Sequence, residues 1–137
     1  MPGDQGLNKM GIGIDVERVV RFKRKMGSSR LFFSRTFTKG EREYCMSKAD
    51  PYIHFAGVFA AKEAAYKAAN ELTRGRLSVT KFEVTHGRNG APRIRYNGTE
   101  PGLKRIVFKV SISHTTEEAA AIALALPRGA RTAPGHE

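Results

Sequence analysis

The stretch FAGVFAAKEAAYKA, from Phe55 to Ala68, determines how the rest of the chain is interpreted. It combines the helix formers Ala, Lys and Glu with aromatic residues, and no breaker follows it until Gly75. Upstream, Pro51 suits the first turn of a helix, where the N–H that proline lacks would be unpaired in any case. The pattern therefore predicts the longest helix of the chain, over residues 51–74.

One face of this helix carries a carboxylate within an aromatic stripe. Steps of three or four residues place these side chains on one face: Phe55, Phe59, Glu63, Tyr66 and Asn70. A bare buried carboxylate is costly, so Glu63 needs a partner. Lys67, four residues on, could form an ordinary helix ion pair worth only ~0.3–0.5 kcal/mol. Alternatively, Glu63 and Asp15 could share a cation, because Mg²⁺ prefers oxygen ligands and often takes only one or two carboxylates.

The sequence before this helix predicts one strand and two shorter helices. In residues 10–16, MGIGIDV, the apolar residues alternate as in a strand. Residues 16–26 have apolar positions at helical spacing, with Arg and Lys elsewhere, and Asp15 is the natural N-cap of this basic helix. The T-x-x-E pattern that begins at Thr38 predicts a second helix, to about Ser47.

The sequence after the long helix predicts antiparallel strands. Residues 81–86 and 93–96 alternate on either side of Asn89-Gly90, which indicates a hairpin. Residues 106–114 also alternate as in a strand. Residues 117–126 are ambiguous, because their alanines favour a helix, whereas a period of two and the closing Leu-Pro favour a returning strand. We predict a strand there, and an α+β fold for the whole.

Length and composition predict one domain between two tails. The chain has 137 residues, of which 40% are hydrophobic and 27% charged, as in ordinary globular domains. We place the domain at residues 10–126. Residues 1–9 are polar and residues 127–137 are rich in Pro, Gly and charge, so we expect both tails to be disordered.

Several classes of protein do not fit the sequence. No apolar run reaches the ~18–20 residues of a membrane span, and residues 1–9 lack the apolar core of an export signal. The single cysteine, Cys45, excludes an internal disulfide and zinc sites of the multi-cysteine type. These features predict a cytoplasmic protein that does not bind a membrane.

The charge points to an anionic partner. Lys and Arg number 24 against 13 Asp and Glu, which leaves a net charge of +11, and the excess is concentrated in residues 16–42. Nucleic acid, an acidic protein and a phosphorylated small molecule all fit such a surface. A solvated basic face without a partner is the plainer alternative.

Three ordered segments carry a family resemblance. They are GIGIDV (residues 11–16), FAAKEAAYKA (residues 59–68) and VSISHT (residues 110–115). Together they resemble the bacterial-type holo-acyl-carrier-protein synthases, which are small 4′-phosphopantetheinyl transferases. The resemblance covers residues 10 to about 126 and is more specific than any one of the segments.

The resemblance implies a reaction and a set of site residues. The reaction is Mg²⁺-dependent transfer of the 4′-phosphopantetheine arm from coenzyme A to a serine of apo acyl carrier protein, releasing 3′,5′-ADP, for fatty acid biosynthesis. Asp15 and Glu63 match the metal-binding carboxylates. Glu63, directly or through a metal-bound water, is the candidate base. Lys67 matches a lysine near the reacting phosphate. Family members are homotrimers with active sites at the subunit interfaces.

Binding residues follow from the same resemblance. For coenzyme A they are Lys62, Lys67, Pro92, Ser113, His114 and Thr115. Lys62 ranks lower, because it points about 100° away from Glu63 on the helix, and the plainer alternative for His114 is an ordinary strand-end histidine. The acidic carrier protein would dock on a basic helix through Arg18, Arg21 and Arg24.

The chain departs from the family pattern near the nucleotide end of the site. Val58 stands where many relatives have arginine, and residues 70–76, NELTRGR, replace a glycine-rich turn. We therefore expect Arg74 or Arg76 to hold the 3′-phosphate of coenzyme A, unless it is held less tightly.

Two other functions remain as alternatives. A basic nucleic-acid-binding module is supported by charge alone, since zinc-finger, RNP-type and KH-type motifs are absent from the sequence. A protein that binds coenzyme A without transferring anything is disfavoured by the presence of Asp15, Glu63 and Lys67. We therefore predict an enzyme that does not bind nucleic acid.

Overall fold

The computed structural model describes residues 9–129. Most of the two predicted tails, at residues 1–8 and 130–137, lies outside the described residues. The first residues of the predicted C-terminal tail continue the described fold. The last strand includes Pro127, and the backbone N–H of Arg128 donates to the carbonyl oxygen of Arg105.

The predicted α+β fold is confirmed. The strands are β1 (Gly11–Arg18), β2 (Phe82–His86), β3 (Pro92–Tyr96), β4 (Ile106–His114) and β5 (Glu118–Pro127), and the α-helices are α1 (Val19–Ser28), α2 (Arg30–Thr36), α3 (Lys39–Met46) and α4 (Pro51–Asn70). None of the helices within residues 9–129 is long and apolar enough to cross a membrane.

The strands form two antiparallel sheets. Strand β5 lies between β1 and β4 in a three-stranded sheet, so the segment with ambiguous periodicity is a strand, as predicted. In one row of this sheet Asp15 pairs with Ala121, which pairs with Ile112. Strands β2 and β3 form the predicted hairpin as a separate sheet.

Helix α4 packs against β1 at unusually close range. A Cβ atom at Gly11 or Gly13 would collide with the backbone carbonyl oxygens of Ala68 and Ala64, so these positions require glycine. Alanines on α4 and β5 are fully buried and keep the helix close to the sheet. The close approach brings the inward side chains of β1 against the C-terminal half of α4, where Glu63 lies.

Two boundaries near the site differ from the prediction. Strand β1 continues to Arg18, because β5 pairs with it as far as Glu118. Helix α1 therefore begins at Val19, and Asp15 is a mid-strand residue rather than its N-cap. Helix α4 ends at Asn70 instead of continuing to residue 74.

The α3 capping box is confirmed, whereas α2 was not predicted. At α3 the Glu41 N–H donates to Thr38 Oγ1 at 3.1 Å, and the Thr38 N–H donates to Glu41 Oε1 at 2.8 Å. At α2 Ser29 is the N-cap and accepts from the Phe32 N–H at 3.0 Å. Phe32 then packs edge-to-face on Phe59 of α4, with ring centroids 5.8 Å apart.

Candidate functional site

Asp15 places a carboxylate between strand β1 and helix α4. Its side chain is 14% exposed, and its Oδ1 atom lies 3.4 Å from the ammonium of Lys67. Its other oxygen, Oδ2, is buried and has no hydrogen-bond partner among residues 9–129. Because a buried carboxylate oxygen without a partner is costly, this atom is available for a ligand.

Two further carboxyl groups, Glu63 on α4 and Glu17 on β1, lie near Asp15. Burial raises the pKa of Glu63, and repulsion from Asp15 raises it further. Burial, together with repulsion from Asp15 and Glu63, raises the pKa of Glu17 to about 8. Asp15 therefore disfavours the charged forms of Glu63 and Glu17, and a divalent cation would relieve that repulsion.

Two lysines bring positive charge to these carboxyl groups. Lys67 donates to the carbonyl oxygen of Ile14 at 2.9 Å and to Asp15, so it does not form the simple helix pair with Glu63. Lys25 comes from α1, with its ammonium 5.6 Å from the ring centroid of Phe59. Its charge counteracts the raised pKa of Glu63.

The donor set fits a magnesium ion. Asp15 contributes an unpaired buried oxygen, and Glu63 contributes a carboxylate whose charge is disfavoured without a cation. Within the described part of the chain, no three His, Cys, Asp or Glu side chains stand in metal-binding geometry. Mg²⁺ is usually held by one or two carboxylates, with phosphate and water as its further ligands. This arrangement differs from a structural zinc site, in which protein side chains supply all four ligands.

Lys62 lies on the other side of α4 and is committed to the fold. Its ammonium and the carboxylate of Glu41 are both 0% exposed and 2.6 Å apart. Lys62 also donates to the carbonyl oxygen of Thr36 at 2.6 Å, and Glu41 accepts from the N–H groups of Thr38 and Val84. Because Lys62 and Glu41 are fully buried and bonded to groups of the same chain, we remove Lys62 from the predicted coenzyme A residues.

Pro92 and His114 meet in a separate cavity. Both line a space of about 170 Å³ between α4, the β2–β3 hairpin and the end of β4. Ser113 and Thr115 are exposed beside it, but the hydroxyl oxygen of Thr115 accepts from the N–H groups of Glu117 and Glu118. This cavity lies near β4, and the Asp15 carboxylate lies near β1. Within one chain these two strands are two strand spacings, or ~10 Å, apart across the sheet.

The predicted docking arginines lie on the surface. Arg18 is the last residue of β1, and Arg21 and Arg24 are three residues apart on α1; all three are exposed. The opposite side of α1 is anchored in the core by Val19 and Phe22. The arginines are therefore free to meet an acidic partner.

Sequence reasoning missed Glu17 and Lys25 at the carboxylate cluster. Glu17 follows Asp15 by two residues, and a strand's period of two puts both on the face toward α4. That signal was hidden because residues 16–26 were interpreted as a helix. Lys25 had no local signal, since its position depends on how α1 packs against Phe59.

Comparisons with known proteins cover nearly the whole described domain. The family model for the 4′-phosphopantetheinyl transferase superfamily matches residues 11–125, a range that contains all three motifs. A holo-[acyl-carrier-protein] synthase of Caldanaerobacter subterraneus subsp. tengcongensis is 36% identical over 121 residues, which cover 84% of this chain and 93% of that protein.

Two other relatives differ in context. The fatty acid synthase subunit alpha of Candida albicans is 35% identical over 127 residues, which cover 86% of this chain but 6% of that protein. The crystal structure of a Bacillus anthracis holo-(acyl-carrier-protein) synthase in complex with CoA (3′,5′-ADP) is 29% identical, with a TM-score of 0.68 and coverage of 85% of this chain and 96% of that one.

Proposed function

Because the chain belongs to the 4′-phosphopantetheinyl transferase superfamily, as its motifs predicted, we propose that it is a holo-acyl-carrier-protein synthase. It transfers the 4′-phosphopantetheine arm of coenzyme A to a serine of apo acyl carrier protein, in support of fatty acid synthesis. The observation that carries the proposal is the cluster of Asp15, Glu63 and Lys67, which unites two of the three motifs at one point.

The reaction breaks a phosphoanhydride bond of coenzyme A and forms a phosphodiester on the serine. The serine oxygen forms a bond to the phosphorus that carries the pantetheine arm, the bond from that phosphorus to the bridging oxygen of the diphosphate breaks, and 3′,5′-ADP leaves with the electron pair. The serine proton must be accepted during this step. The main electrostatic demand is stabilisation of the negative charge that collects on the leaving phosphate.

The cluster has a group for each of these demands. Asp15 and Glu63 would hold Mg²⁺, which would supply neutralisation of the diphosphate charge. Glu63 is the candidate acceptor of the serine proton, directly or through water, and its raised pKa favours proton uptake. Lys67 is 53% exposed, so its ammonium can turn from Asp15 toward the leaving phosphate.

The carrier protein would dock on α1. Arg18, Arg21 and Arg24 present positive charge next to the carboxylate cluster, because α1 follows β1 directly. Exposed ion pairs contribute at most about 1 kcal/mol each and act mainly on the rate of encounter. Several of them together would orient an acidic helix with its serine toward Glu63.

Assembly into a homotrimer would join the two separated parts of the site. The outer face of the three-stranded sheet exposes Ile12 (57%), Ile14 (61%) and Val16 (54%), together with Ile122 (41%). A contiguous apolar face of this kind marks an interaction surface. With three chains packed around these faces, the carboxylate cluster of one chain could adjoin the His114 cavity of its neighbour.

A transfer assay tests the proposal. The protein is incubated with coenzyme A, Mg²⁺ and apo acyl carrier protein, and the carrier is weighed by mass spectrometry. A gain of one phosphopantetheine arm that needs both coenzyme A and Mg²⁺ supports the proposal. Binding of coenzyme A with no gain in carrier mass would indicate a binding protein without transferase activity. Sedimentation at three times the chain mass is expected for the active species.

A further inference from the structure

The cavity that contains Pro92 and His114 carries rings that the proposed chemistry does not use. Four of its lining residues are Tyr44, His54, His86 and His114, which come from α3, α4, β2 and β4. Three histidines from three separate elements therefore converge on a space of about 170 Å³.

The rings form a continuous wall. Tyr44 and His86 are stacked, with centroids 3.7 Å apart and planes 7° from parallel. His54 meets His114 edge-on at 5.5 Å and Tyr44 at 6.1 Å. The Lys48 ammonium lies 4.6 Å from the centroid of the Tyr44 ring and adds a permanent positive charge to the wall.

The charges around this wall are mostly of one sign. Burial, with repulsion from His114 and Lys48, lowers the pKa of His54, and Asp50 only partly offsets this. Burial, with repulsion from Lys48 and His54, lowers the pKa of His86. An anion in the cavity would replace this repulsion with attraction and would favour protonated imidazoles.

We propose that His54 and His86, together with Lys48, bind the 3′-phosphate of coenzyme A in this chain. The inference rests on the proposed function, because coenzyme A is what brings a phosphomonoester to this enzyme. Val58 lines the same cavity and contributes no charge to it. The convergent imidazoles and Lys48 are therefore the groups that supply positive charge there.

The geometry disfavours the arginines that the sequence suggested for this role. Arg74 and Arg76 follow α4, whose last residue, Asn70, is 12 residues beyond Val58, or ~18 Å along the helix axis. Arg76 lines a different depression, next to Lys81. Within one chain, both arginines therefore follow the end of α4 that is distant from the histidine cavity.

Calorimetric titration of the full chain with coenzyme A and with 3′-dephospho-coenzyme A tests the inference. At pH 6.5 we expect coenzyme A to bind at least about tenfold more tightly, the equivalent of one charge-assisted hydrogen bond. At pH 8 the difference narrows, because fewer imidazoles are protonated. The phosphate retains much of its second negative charge throughout this range, because its pKa is about 6.

The decisive variant is His54→Phe/His86→Phe. Phenylalanine keeps the ring contacts with Tyr44 but cannot be protonated, so the preference for coenzyme A should fall to about threefold or less at both pH values. Unchanged affinity for 3′-dephospho-coenzyme A shows that the variant is folded. If the double variant does not fold, His54→Gln and His86→Gln are tested singly, and each should reduce the preference.

The variant Arg74→Ala/Arg76→Ala tests whether these two arginines bind the 3′-phosphate instead. It should keep the wild-type preference for coenzyme A over 3′-dephospho-coenzyme A. Three results would overturn the inference: a preference that survives in the phenylalanine variant, a preference that is lost in the alanine variant, or equal binding of both ligands by the wild type. Failure of the wild type to bind either ligand would instead overturn the proposed function, and the inference with it.

Discussion

Lys62 and Glu63 are adjacent on helix α4, yet their charges have opposite environments. Lys62 is fully buried and paired with Glu41, and both residues also form hydrogen bonds with backbone groups. Glu63 lies beside Asp15 and Glu17, its pKa is raised, and an oxygen of Asp15 has no partner within the described residues. One side of the helix is complete as folded, whereas the other is incomplete within the described residues.

The difference separates structural from functional charge within a single motif. A buried charge whose partners all come from its own chain fixes the positions of the elements it joins, here α3, α4 and β2. A group that its neighbours keep from ionising freely is typical of a site where chemistry occurs. The segment from Lys62 to Lys67 thus contains both kinds of lysine, since Lys67 lies on the same side as Asp15.

The largest effect on stability is expected from removing one partner of the buried Lys62–Glu41 ion pair. Lys62→Met leaves the Glu41 carboxylate buried without its partner, so the free energy of unfolding should fall by about 3–5 kcal/mol. Urea denaturation measures this loss. At low temperature the remaining folded protein should bind coenzyme A with wild-type affinity, because the ammonium of Lys62 does not reach the site.

Glu41→Gln/Lys62→Met is the matched control for that substitution. It removes both charges while an amide oxygen still accepts from the backbone, so it should recover more than half of the lost stability. A loss of under 1 kcal/mol in Lys62→Met, or a loss of coenzyme A affinity in its folded fraction, would contradict the structural role.

Substitutions at Asp15 and Glu63 should show the opposite pattern, a loss of activity without a loss of stability. Asp15→Asn and Glu63→Gln each remove a charge from the cation site, so turnover should fall by at least about 100-fold. The free energy of unfolding should stay constant or rise, because carboxylate repulsion is reduced. Initial rates measure the turnover, and urea denaturation measures the free energy of unfolding. Glu43→Gln, at an exposed carboxylate of α3, is the control and should change neither.

Local patterns predicted most of the fold. The capping box at Thr38, the Asn89-Gly90 hairpin and the period of two in β5 all reflect interactions between residues close in sequence or a simple alternation. The predictions were wrong where the structure depends on contacts between residues that are distant in sequence. Strand β1 extends to Arg18 only because β5, about 100 residues later, pairs with it, and that pairing makes Asp15 a mid-strand residue instead of the predicted N-cap.

The motifs predicted which residues lie close together, but not how those residues contact each other. Asp15, Glu63 and Lys67 were expected together, and the structure brings them together. The bond from Lys67 to Asp15 instead of Glu63, the burial of Lys62, and the convergence of His54 with His86 depend on how α4 packs against its neighbours. Helical spacing gives the face of a residue but does not identify what covers that face.

A smaller effect is expected at the docking surface. Arg21→Glu should raise the apparent KM for the carrier protein by about tenfold and leave the KM for coenzyme A unchanged, because a like charge opposes docking of an acidic partner. Lys104→Glu reverses an exposed charge far from α1 and is the control. Equal increases in both KM values would place Arg21 in the catalytic site. Steeply salt-dependent DNA or RNA binding without carrier turnover would favour the nucleic-acid alternative.

The smallest effect is a pH dependence of stability from the histidine cavity. The pKa values of His54 and His86 are lowered in the folded protein, so the unfolded chain binds more protons between those values and about 6.5. Stability contributed by neutral imidazoles is therefore lost as the pH falls below 6.5. Thermal unfolding from pH 7.5 to 5.5 should show a smaller decrease in His54→Phe/His86→Phe than in the wild type. An identical decrease would contradict the shifted histidines.

The most direct difference between the two sides of α4 is that we expect a cation to bind on the side of Asp15 and Glu63 and none beside Lys62. Crystals grown with coenzyme A and Mn²⁺, a scatterer that can replace Mg²⁺, allow the metal to be located by its anomalous signal. The account predicts a peak in direct contact with Asp15 Oδ2 and the Glu63 carboxylate, with a phosphate oxygen completing its ligands. A fully loaded crystal with the metal elsewhere, or with Asp15 Oδ2 bonded only to protein, would contradict it.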